Sequence, residues 1–154
     1  MLDCHGKNLH FGSELMRPFH LAFPVDDVDS AVEFYTEILG CSTGRRKEES
    51  CVLNLFGHQI VAHKVAEMPR LATNPVDGEQ VPAMHFGIVL EMQQWHDLKE
   101  KLLAKKISFV IGPYERYKGQ PGAQATMFIK DPSGNHIEFK AFANDSAIFD
   151  KRWL

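Results

Sequence analysis

The sequence carries little net charge and has no long hydrophobic run. Its 17 Lys and Arg residues against 20 Asp and Glu residues give a formal net charge of −3, which provides no strong attraction to nucleic acid or acidic lipid. No apolar run approaches the roughly 20 residues of a membrane-spanning helix, and residues 1–16 lack the continuous apolar centre of a signal peptide. We therefore expect neither a nucleic-acid nor a membrane partner, and a cytoplasmic location.

Cysteine is also scarce. The chain has three, Cys4, Cys41 and Cys51, and neither their odd number nor their spacing fits a disulfide framework or a Cys-x-x-Cys site. A pair between Cys41 and Cys51 on neighbouring strands is one alternative. We favour free thiols that pack as small hydrophobic side chains.

The composition is typical of a globular protein, and the predicted helices and strands follow an order that occurs twice. With 154 residues, 44% of them hydrophobic, it is long enough for one domain with a buried core. A strand, an amphipathic helix and three short strands are predicted in residues 17–64, and the same order returns in 83–143. Residues 65–82 hold three prolines and no periodicity, which predicts a linker. Residues 1–16 and 144–154 are predicted as an N-terminal extension and a C-terminal tail.

The two halves can be superposed on each other. His85 follows His20 by 65 residues, and Gly134 follows Gly57 by 77 residues. We place the 12 additional residues in the loop after Ile111. An internal duplication of one structural module is therefore predicted.

The segment 131–140 combines a turn with a strand that has a carboxylate at its centre. Its first five residues, Asp-Pro-Ser-Gly-Asn, are turn formers. The strand that follows places His136, Glu138 and Lys140 on one face. Because a carboxylate is costly to bury unless it is paired or bound to a metal, we expect Glu138 to have a partner.

Two other predicted strands, near the start of each half, carry one histidine each. His20 and His85 both stand second in a short apolar run. Two neutral imidazoles and one carboxylate from three strands form a facial triad, which binds a metal on one side and leaves the opposite side open to substrate. We therefore predict His20, His85 and Glu138 as metal ligands. For either histidine alone, a core imidazole bonded to backbone carbonyls is the alternative, and for Glu138 a salt bridge to a basic neighbour.

In this order and spacing, the chain from about residue 17 to residue 143 resembles the vicinal oxygen chelate superfamily. That superfamily includes glyoxalase I, extradiol dioxygenases, methylmalonyl-CoA epimerase, and the fosfomycin and bleomycin resistance proteins. The resemblance is carried by Phe-His at 19–20, Glu-Ile-Leu-Gly at 37–40, Met-His-Phe-Gly at 84–87 and Asp-Pro-Ser-Gly-Asn-His-Ile-Glu at 131–138. It implies an α+β fold of two tandem βαβββ modules that form a partial barrel around one metal, with ligands at His20, His85 and Glu138.

One departure from the family pattern bears on the reaction. Glyoxalase I and the epimerase usually place a further ligand in the last strand of the first module, and that position is occupied here by Val61. Valine cannot bind a metal, so the set of two histidines and one carboxylate resembles that of the extradiol dioxygenases. His63 lies on the same strand face as Val61. A shift in strand register would make His63 a fourth ligand; otherwise we expect a general base or a substrate hydrogen-bond partner.

The resemblance implies a divalent-metal-dependent enzyme that acts on a small vicinal-oxygen substrate, most similar to the dioxygenases. Fe(II) is the favoured ion, and Zn, Ni and Mn are the other candidates. The first alternative is a glyoxalase- or epimerase-like lyase or isomerase with His63 as extra ligand or base. The second is a non-catalytic ligand-binding protein of the bleomycin-resistance kind. By analogy we expect a homodimer, and the sequence leaves open whether the site is completed within one chain or across the dimer.

A further candidate region is the segment 112–122, which is rich in glycine and proline. These residues predict a loop that can act as a lid over the site. Within it, Tyr114 and Arg116 are candidates for binding an anionic or enolate-like oxygen of the substrate. The alternative is a flexible hairpin loop with ordinary surface charges.

Overall fold

The computed structural model describes residues 17–76, 78–120 and 122–151. The predicted extension 1–16 and the last three residues of the predicted tail lie outside this part of the chain. The described strands are β1 His20–Val25, β2 Ser42–Lys47, β3 Ser50–Leu55, β4 His58–Lys64, β5 Thr73–Val76, β6 Glu79–Pro82, β7 Phe86–Leu90, β8 Phe109–Arg116, β9 Gln124–Lys130 and β10 His136–Phe142. The α-helices in this part of the chain are α1 Val28–Glu33 and α2 Met92–Ala104. No helix in these residues is both long and apolar enough to cross a membrane.

The strands form two four-stranded sheets with the same topology. Sheet 1 has the order β1-β4-β3-β2 and sheet 2 the order β7-β10-β9-β8, while β5 and β6 form a separate hairpin. In each sheet the first strand pairs in parallel with the last strand of its module, and the other pairs are antiparallel. The predicted α+β fold of two tandem βαβββ modules is therefore confirmed. The two sheets do not close into a barrel.

The strand register confirms the superposition of the two halves. In sheet 1, His20 pairs with Gln59, a separation of 39 residues, and in sheet 2, Phe86 pairs with Ile137, a separation of 51. The difference of 12 equals the number of additional residues predicted in the second half. Residues of β1 and β7 are thus equivalent at an offset of 65, and residues of β4 and β10 at an offset of 77.

The helix of each module covers the inner face of its sheet. Helix α1 begins after Asp27, whose side chain accepts a hydrogen bond from the Ser30 backbone N–H at 2.7 Å, as expected for an N-cap carboxylate. It continues into a π-helical turn, Phe34–Ile38, and Gly40 follows with φ of 78°, which glycine adopts without strain. Helix α2 is attached through Trp95, whose indole N–H donates to the Phe139 carbonyl at 3.0 Å.

Both modules contribute to one hydrophobic core. Strands β1, β3 and β10 alternate between buried and more exposed residues, as half-buried strands do, whereas β4 and β9 each contain a run of consecutive buried residues. The modules meet where the rings of Phe23 and Phe86 lie 5.1 Å apart. Cys41 and Cys51 are buried free thiols in this core, and burial raises the pKa of Cys41 to about 11. Cys4 lies outside the described residues.

The turn between β9 and β10 joins the two modules. Asp131 accepts hydrogen bonds from the Asn135 backbone N–H and side-chain amide, both at 2.8 Å, and from the Tyr35 hydroxyl of module 1 at 3.2 Å. The Asn135 amide also donates to the Pro24 carbonyl at 2.9 Å. Burial raises the pKa of Asp131 despite these donors. The turn residues predicted from sequence therefore also form a polar contact between modules.

Two segments predicted as irregular contain strands. The predicted linker 65–82 includes the β5–β6 hairpin, in which Val76 pairs with Glu79. The sequence between these two residues is Asp-Gly, which is typical of hairpin connections. The predicted lid 112–122 is likewise wrong in its first half, because β8 continues to Arg116. Register shifts on either side of Ile111 absorb Gly112 and Pro113, and an edge strand tolerates a proline that cannot donate a hydrogen bond.

Candidate metal centre and substrate face

The predicted ligands lie on the faces of the sheets that point away from the helices. On sheet 1, one polar residue from each strand forms an in-register row, in the order His20, Gln59, Asn54 and Ser42. On sheet 2, the equivalent face carries Glu138, Lys140, Thr126 and Tyr114. We call these the open face of module 1 and the open face of module 2.

His85 and Glu138 come together on module 2. The imidazole Nε2 of His85 lies 3.3 Å from Oε2 of Glu138, and its Nδ1 lies 2.9 Å from the Pro82 carbonyl oxygen. Since a carbonyl oxygen only accepts, Nδ1 carries a proton, and the neutral imidazole then presents a lone pair at Nε2. Two acceptor atoms that face each other require a cation between them, either a proton on Nε2 or a metal ion.

The second oxygen of Glu138 is held by neighbours on the same face. Its Oε1 accepts a hydrogen bond from the Thr126 hydroxyl at 2.9 Å and lies 3.3 Å from the Lys140 ammonium. The Glu138 side chain is 15% exposed. The carboxylate is thus oriented through Oε1, which leaves Oε2 for His85 or an ion.

His20 lies on β1, in the other sheet. Its Nδ1 donates to the Gln59 side-chain oxygen at 2.7 Å, the one side-chain hydrogen bond that the ring makes within the described residues. The exposed Nε2 is therefore a free lone pair in the neutral imidazole. In the described residues, no three side chains of His, Cys, Asp or Glu lie close enough to hold one ion. The structure brings together two of the three predicted ligands and leaves His20 apart.

The three predicted catalytic residues are divided between the modules. On β4, His63 pairs with Pro24 and Ser50 in a continuous register, so it lies four residues, or about 13 Å, along the strand from Gln59 and its partner His20. The register shift that would make His63 a fourth ligand beside His20 is absent from β4.

Tyr114 and Arg116 lie on β8, beside the Glu138 half of the site. Tyr114 pairs with Thr126, and its hydroxyl accepts a hydrogen bond from Arg116 Nε at 2.8 Å. Burial raises the pKa of Tyr114, and the negative charge of Glu138 raises it further. A neutral phenol, bonded to a guanidinium, therefore lies within the electrostatic range of the carboxylate.

Sequence reasoning missed two groups that orient the histidines. Gln59 bonds His20, and the Pro82 carbonyl bonds His85. The position of Gln59 could have been predicted from sequence, because it follows Gly57 by two residues and so lies at the start of β4, next to the predicted first strand. The role of the Pro82 carbonyl could not be predicted from sequence, because every residue has a backbone carbonyl.

The open face of module 1 forms a groove of about 330 Å³. Ser42, Asn54 and Gln59 from the polar row line it, and none of its ten lining residues is Lys, Arg, Asp or Glu. Gln59 contacts both the groove and His20, so a molecule in the groove lies beside the histidine. Its volume is within the range of small-molecule sites.

Comparison with known proteins agrees with this architecture. A virulence protein of Salmonella typhimurium, STM3117, is 30% identical over 123 residues, which are 80% of this chain and 82% of that protein. A crystal structure described as glyoxalase/bleomycin resistance protein/dioxygenase, from Alicyclobacillus acidocaldarius, is 31% identical with a TM-score of 0.72, and the match covers 86% of this chain and 96% of that one.

More distant structures share the fold alone. The fosfomycin resistance protein FosX of Listeria monocytogenes has a TM-score of 0.62 at 12% identity, with 88% of this chain and all of that one covered. The family model of the glyoxalase/bleomycin resistance protein/dioxygenase superfamily matches residues 17–139, which cover module 1, module 2 up to the middle of β10, and all three predicted ligands. The chain belongs to the glyoxalase/bleomycin resistance protein/dioxygenase superfamily.

Proposed function

We propose that the protein is a divalent-metal-dependent enzyme that acts on a small substrate with two neighbouring oxygens, with His20, His85 and Glu138 as its metal ligands. The observation that carries this proposal is the approach of His85 Nε2 to Glu138 Oε2 at 3.3 Å while Nδ1 is bonded to a carbonyl. Metal-binding histidines commonly donate their second ring N–H to a carbonyl or carboxylate in this way. His20 has the same arrangement, with an amide oxygen as its partner.

The donor set fits an ion that leaves room for substrate. Two imidazoles and one carboxylate suit Fe(II) in particular, and also Zn, Ni and Mn. Val61, at the position equivalent to Glu138, adds no fourth protein ligand. When bound, the ion supplies a Lewis acid for two neighbouring substrate oxygens, and Fe(II) additionally suits dioxygen chemistry. We therefore favour a dioxygenase-like reaction.

The surrounding residues have roles that follow from their contacts. Thr126 and Lys140 hold Oε1 of Glu138 and so fix the orientation of the carboxylate. Tyr114 and Arg116 lie on the same open face, and we assign them to binding substrate oxygen as negative charge develops there. The uncharged groove of module 1, beside His20, receives the part of the substrate that does not contact the metal.

We further propose that the site is completed in a homodimer, with His20 supplied by a second copy of the chain. The first strand of each module, β1 and β7, is an edge strand in its own sheet. Large apolar residues at these edges are exposed, with Phe19 64%, Met84 59% and Val89 48% accessible. Open, apolar strand edges favour pairing with another chain. Pairing of β1 with the partner's β7 would bring His20 to His85.

The first experiment measures the metal that the protein retains when it is purified without added metal. We expect close to one ion per chain in the wild type and loss of that ion in Glu138→Ala. The matched control is Val61→Ala, at the equivalent position in module 1, which should retain the ion. Iron would support the dioxygenase-like reaction, whereas zinc or nickel would support a lyase or isomerase. Equal retention by Glu138→Ala would contradict the proposed ligand set.

A second experiment tests whether the site is shared between chains. His20→Ala and Glu138→Ala should each fail to bind metal alone. When the two variants are unfolded together and refolded, mixed dimers would contain one site with all three ligands, so partial metal binding should return. No recovery in verified mixed dimers would contradict a shared site.

A further inference from the structure

The β5–β6 hairpin, which joins the two modules, lies against the metal half-site of module 2. His20 is the first residue of β1, but His85 precedes β7 and lies in the short connection between the hairpin and the strand. Ladder hydrogen bonds of the sheet therefore do not hold His85 directly. Its described contact on the Nδ1 side is the carbonyl of Pro82, the last residue of the hairpin.

The hairpin is fixed to sheet 2 by a small apolar cluster that is separate from the main core. Val81 of the hairpin is 1% exposed and packs with Ile111 and Phe128, which are 5% and 2% exposed. Val76, Val110 and Tyr114 surround these three residues. The cluster attaches the hairpin to the open face of module 2.

Phe128 links this cluster to the histidine and the carboxylate. Its ring lies 5.2 Å from the His85 ring in an edge-on arrangement, and its backbone pairs with that of Glu138. Val81 and His85 thus contact the same aromatic side chain. A change in the position of the hairpin would move both the carbonyl that bonds Nδ1 and the apolar surface against which the ring rests.

We propose that the β5–β6 hairpin is a positioning element that holds the His85 ring with its Nδ1–H bonded to the Pro82 carbonyl and its Nε2 directed at Glu138. Val81 is a positioning residue that acts through Phe128 and the Pro82 carbonyl and contacts no ligand atom itself. The inference rests on the proposed function for its consequence, metal affinity, and stands independently of it in the Nδ1–H hydrogen bond of the metal-free protein.

The test compares Val81→Ala with Val28→Ala, which removes an equally buried valine from helix α1 (3% exposed). Nitrogen-15-resolved proton spectra of the imidazoles in metal-free protein report whether the Nδ1–H of His85 exchanges slowly with solvent, as a hydrogen-bonded proton does. Calorimetric titration with Zn²⁺ reports the affinity. We expect Val81→Ala to lose the slowly exchanging Nδ1–H and to lower Zn²⁺ affinity by about tenfold, the scale on which groups that orient a metal ligand act. Val28→Ala should change neither value.

Two further variants keep the result interpretable. Val81→Ile, which retains an apolar side chain, should restore the wild-type values. Val76→Ala, at the half-buried margin of the cluster, should produce a smaller change in the same direction and provides the test if Val81→Ala does not fold. A folded Val81→Ala or Val76→Ala with wild-type exchange of the His85 Nδ1–H and wild-type affinity would overturn the positioning role. Failure of the wild type to bind Zn²⁺, with the Nδ1–H protected in the wild type and exposed in Val81→Ala, would overturn the metal site and leave the positioning role intact.

Discussion

The two modules share one backbone plan and differ in what stands at equivalent positions. Val61 in module 1 corresponds to Glu138 in module 2, and Asn54 and Asp131 each precede the turn glycine of their module by three residues. The groove on the open face of module 1 is lined by polar side chains such as Ser42, Asn54 and Gln59 and by no Lys, Arg, Asp or Glu. On module 2, the carboxylate, its ammonium partner and the hairpin occupy the same face. In the proposed function, one module therefore provides the groove for the substrate and the other provides the charged half-site.

A carboxylate in a sheet requires hydrogen-bonding and charged partners that a valine at the equivalent position does not. Val61 packs as part of an apolar row, whereas Glu138 needs a hydroxyl, an ammonium and an imidazole around it. A buried charge without such partners would destabilise the fold. The specialised features of module 2 can therefore be removed one at a time, with the equivalent residue of module 1 as the control.

The largest effect is expected at Gly87, which is opposite Glu138 in the parallel β7–β10 pair. A Cβ at this position would lie 1.6 Å from the Glu138 carbonyl oxygen, so Gly87→Ala must separate two backbones. We expect a loss of about 3 kcal/mol or more in the free energy of unfolding. Ala22→Gly, the reciprocal change at the equivalent position of β1, should cost about 0.5–1 kcal/mol. Urea unfolding of both variants measures the contrast.

An equal loss in the two variants would show that β7 and β10 have no closer approach than β1 and β4. The same preparations can be titrated with metal. Because Gly87 lies two residues after His85 and opposite Glu138, a folded Gly87→Ala should also bind metal more weakly, whereas Ala22→Gly should not.

The second largest effect is expected where the turns differ. Asp131 and Asn54 both accept a backbone hydrogen bond within their turns, but Asp131 is buried and also accepts from Tyr35 of the other module. Asp131→Ala would leave buried donors without a partner, which should cost about 2–4 kcal/mol. Asn54→Ala, in an exposed turn, should cost less than about 1 kcal/mol. Comparable losses in thermal or denaturant unfolding would contradict a contact between modules.

The buried Asp131 also predicts a pH dependence of stability that an uncharged amide at this position would not have. Burial raises the pKa of Asp131 in the folded protein above the value of about 3.9 of an unfolded chain. Between these two values the folded state binds more protons than the unfolded state, so the stability contribution of this group decreases as pH rises. Relative to Asp131→Asn, wild-type stability should therefore decline with rising pH across that window. A difference that increases with pH would contradict the raised pKa.

Much of the fold and half of the candidate site could be predicted from sequence, because both depend on local pattern. Alternating apolar residues and the Asp-Pro-Ser-Gly-Asn turn give the strands and their order, and the repeat places His85, just before β7, next to the strand that carries Glu138. The β5–β6 hairpin was missed because prolines concealed its strands, although Asp-Gly at 77–78 was a usable signal. The end of β8 was missed because a bulge accommodates glycine and proline. The separation of His20 depends on how the two sheets associate, which no local pattern encodes.

The smallest effect is expected at His63, which corresponds to Lys140 in module 2. Lys140 contacts Glu138 at 3.3 Å, whereas His63 lies about 13 Å along the sheet from His20. His63→Ala should therefore leave metal affinity within about twofold of wild type. Lys140→Met should increase the affinity, because the negative charge of Glu138 is then no longer offset by a neighbouring ammonium. Calorimetric titration of both variants with Mn²⁺ makes the comparison. A tenfold loss in His63→Ala would instead restore the fourth-ligand interpretation and, with it, the lyase or isomerase alternative.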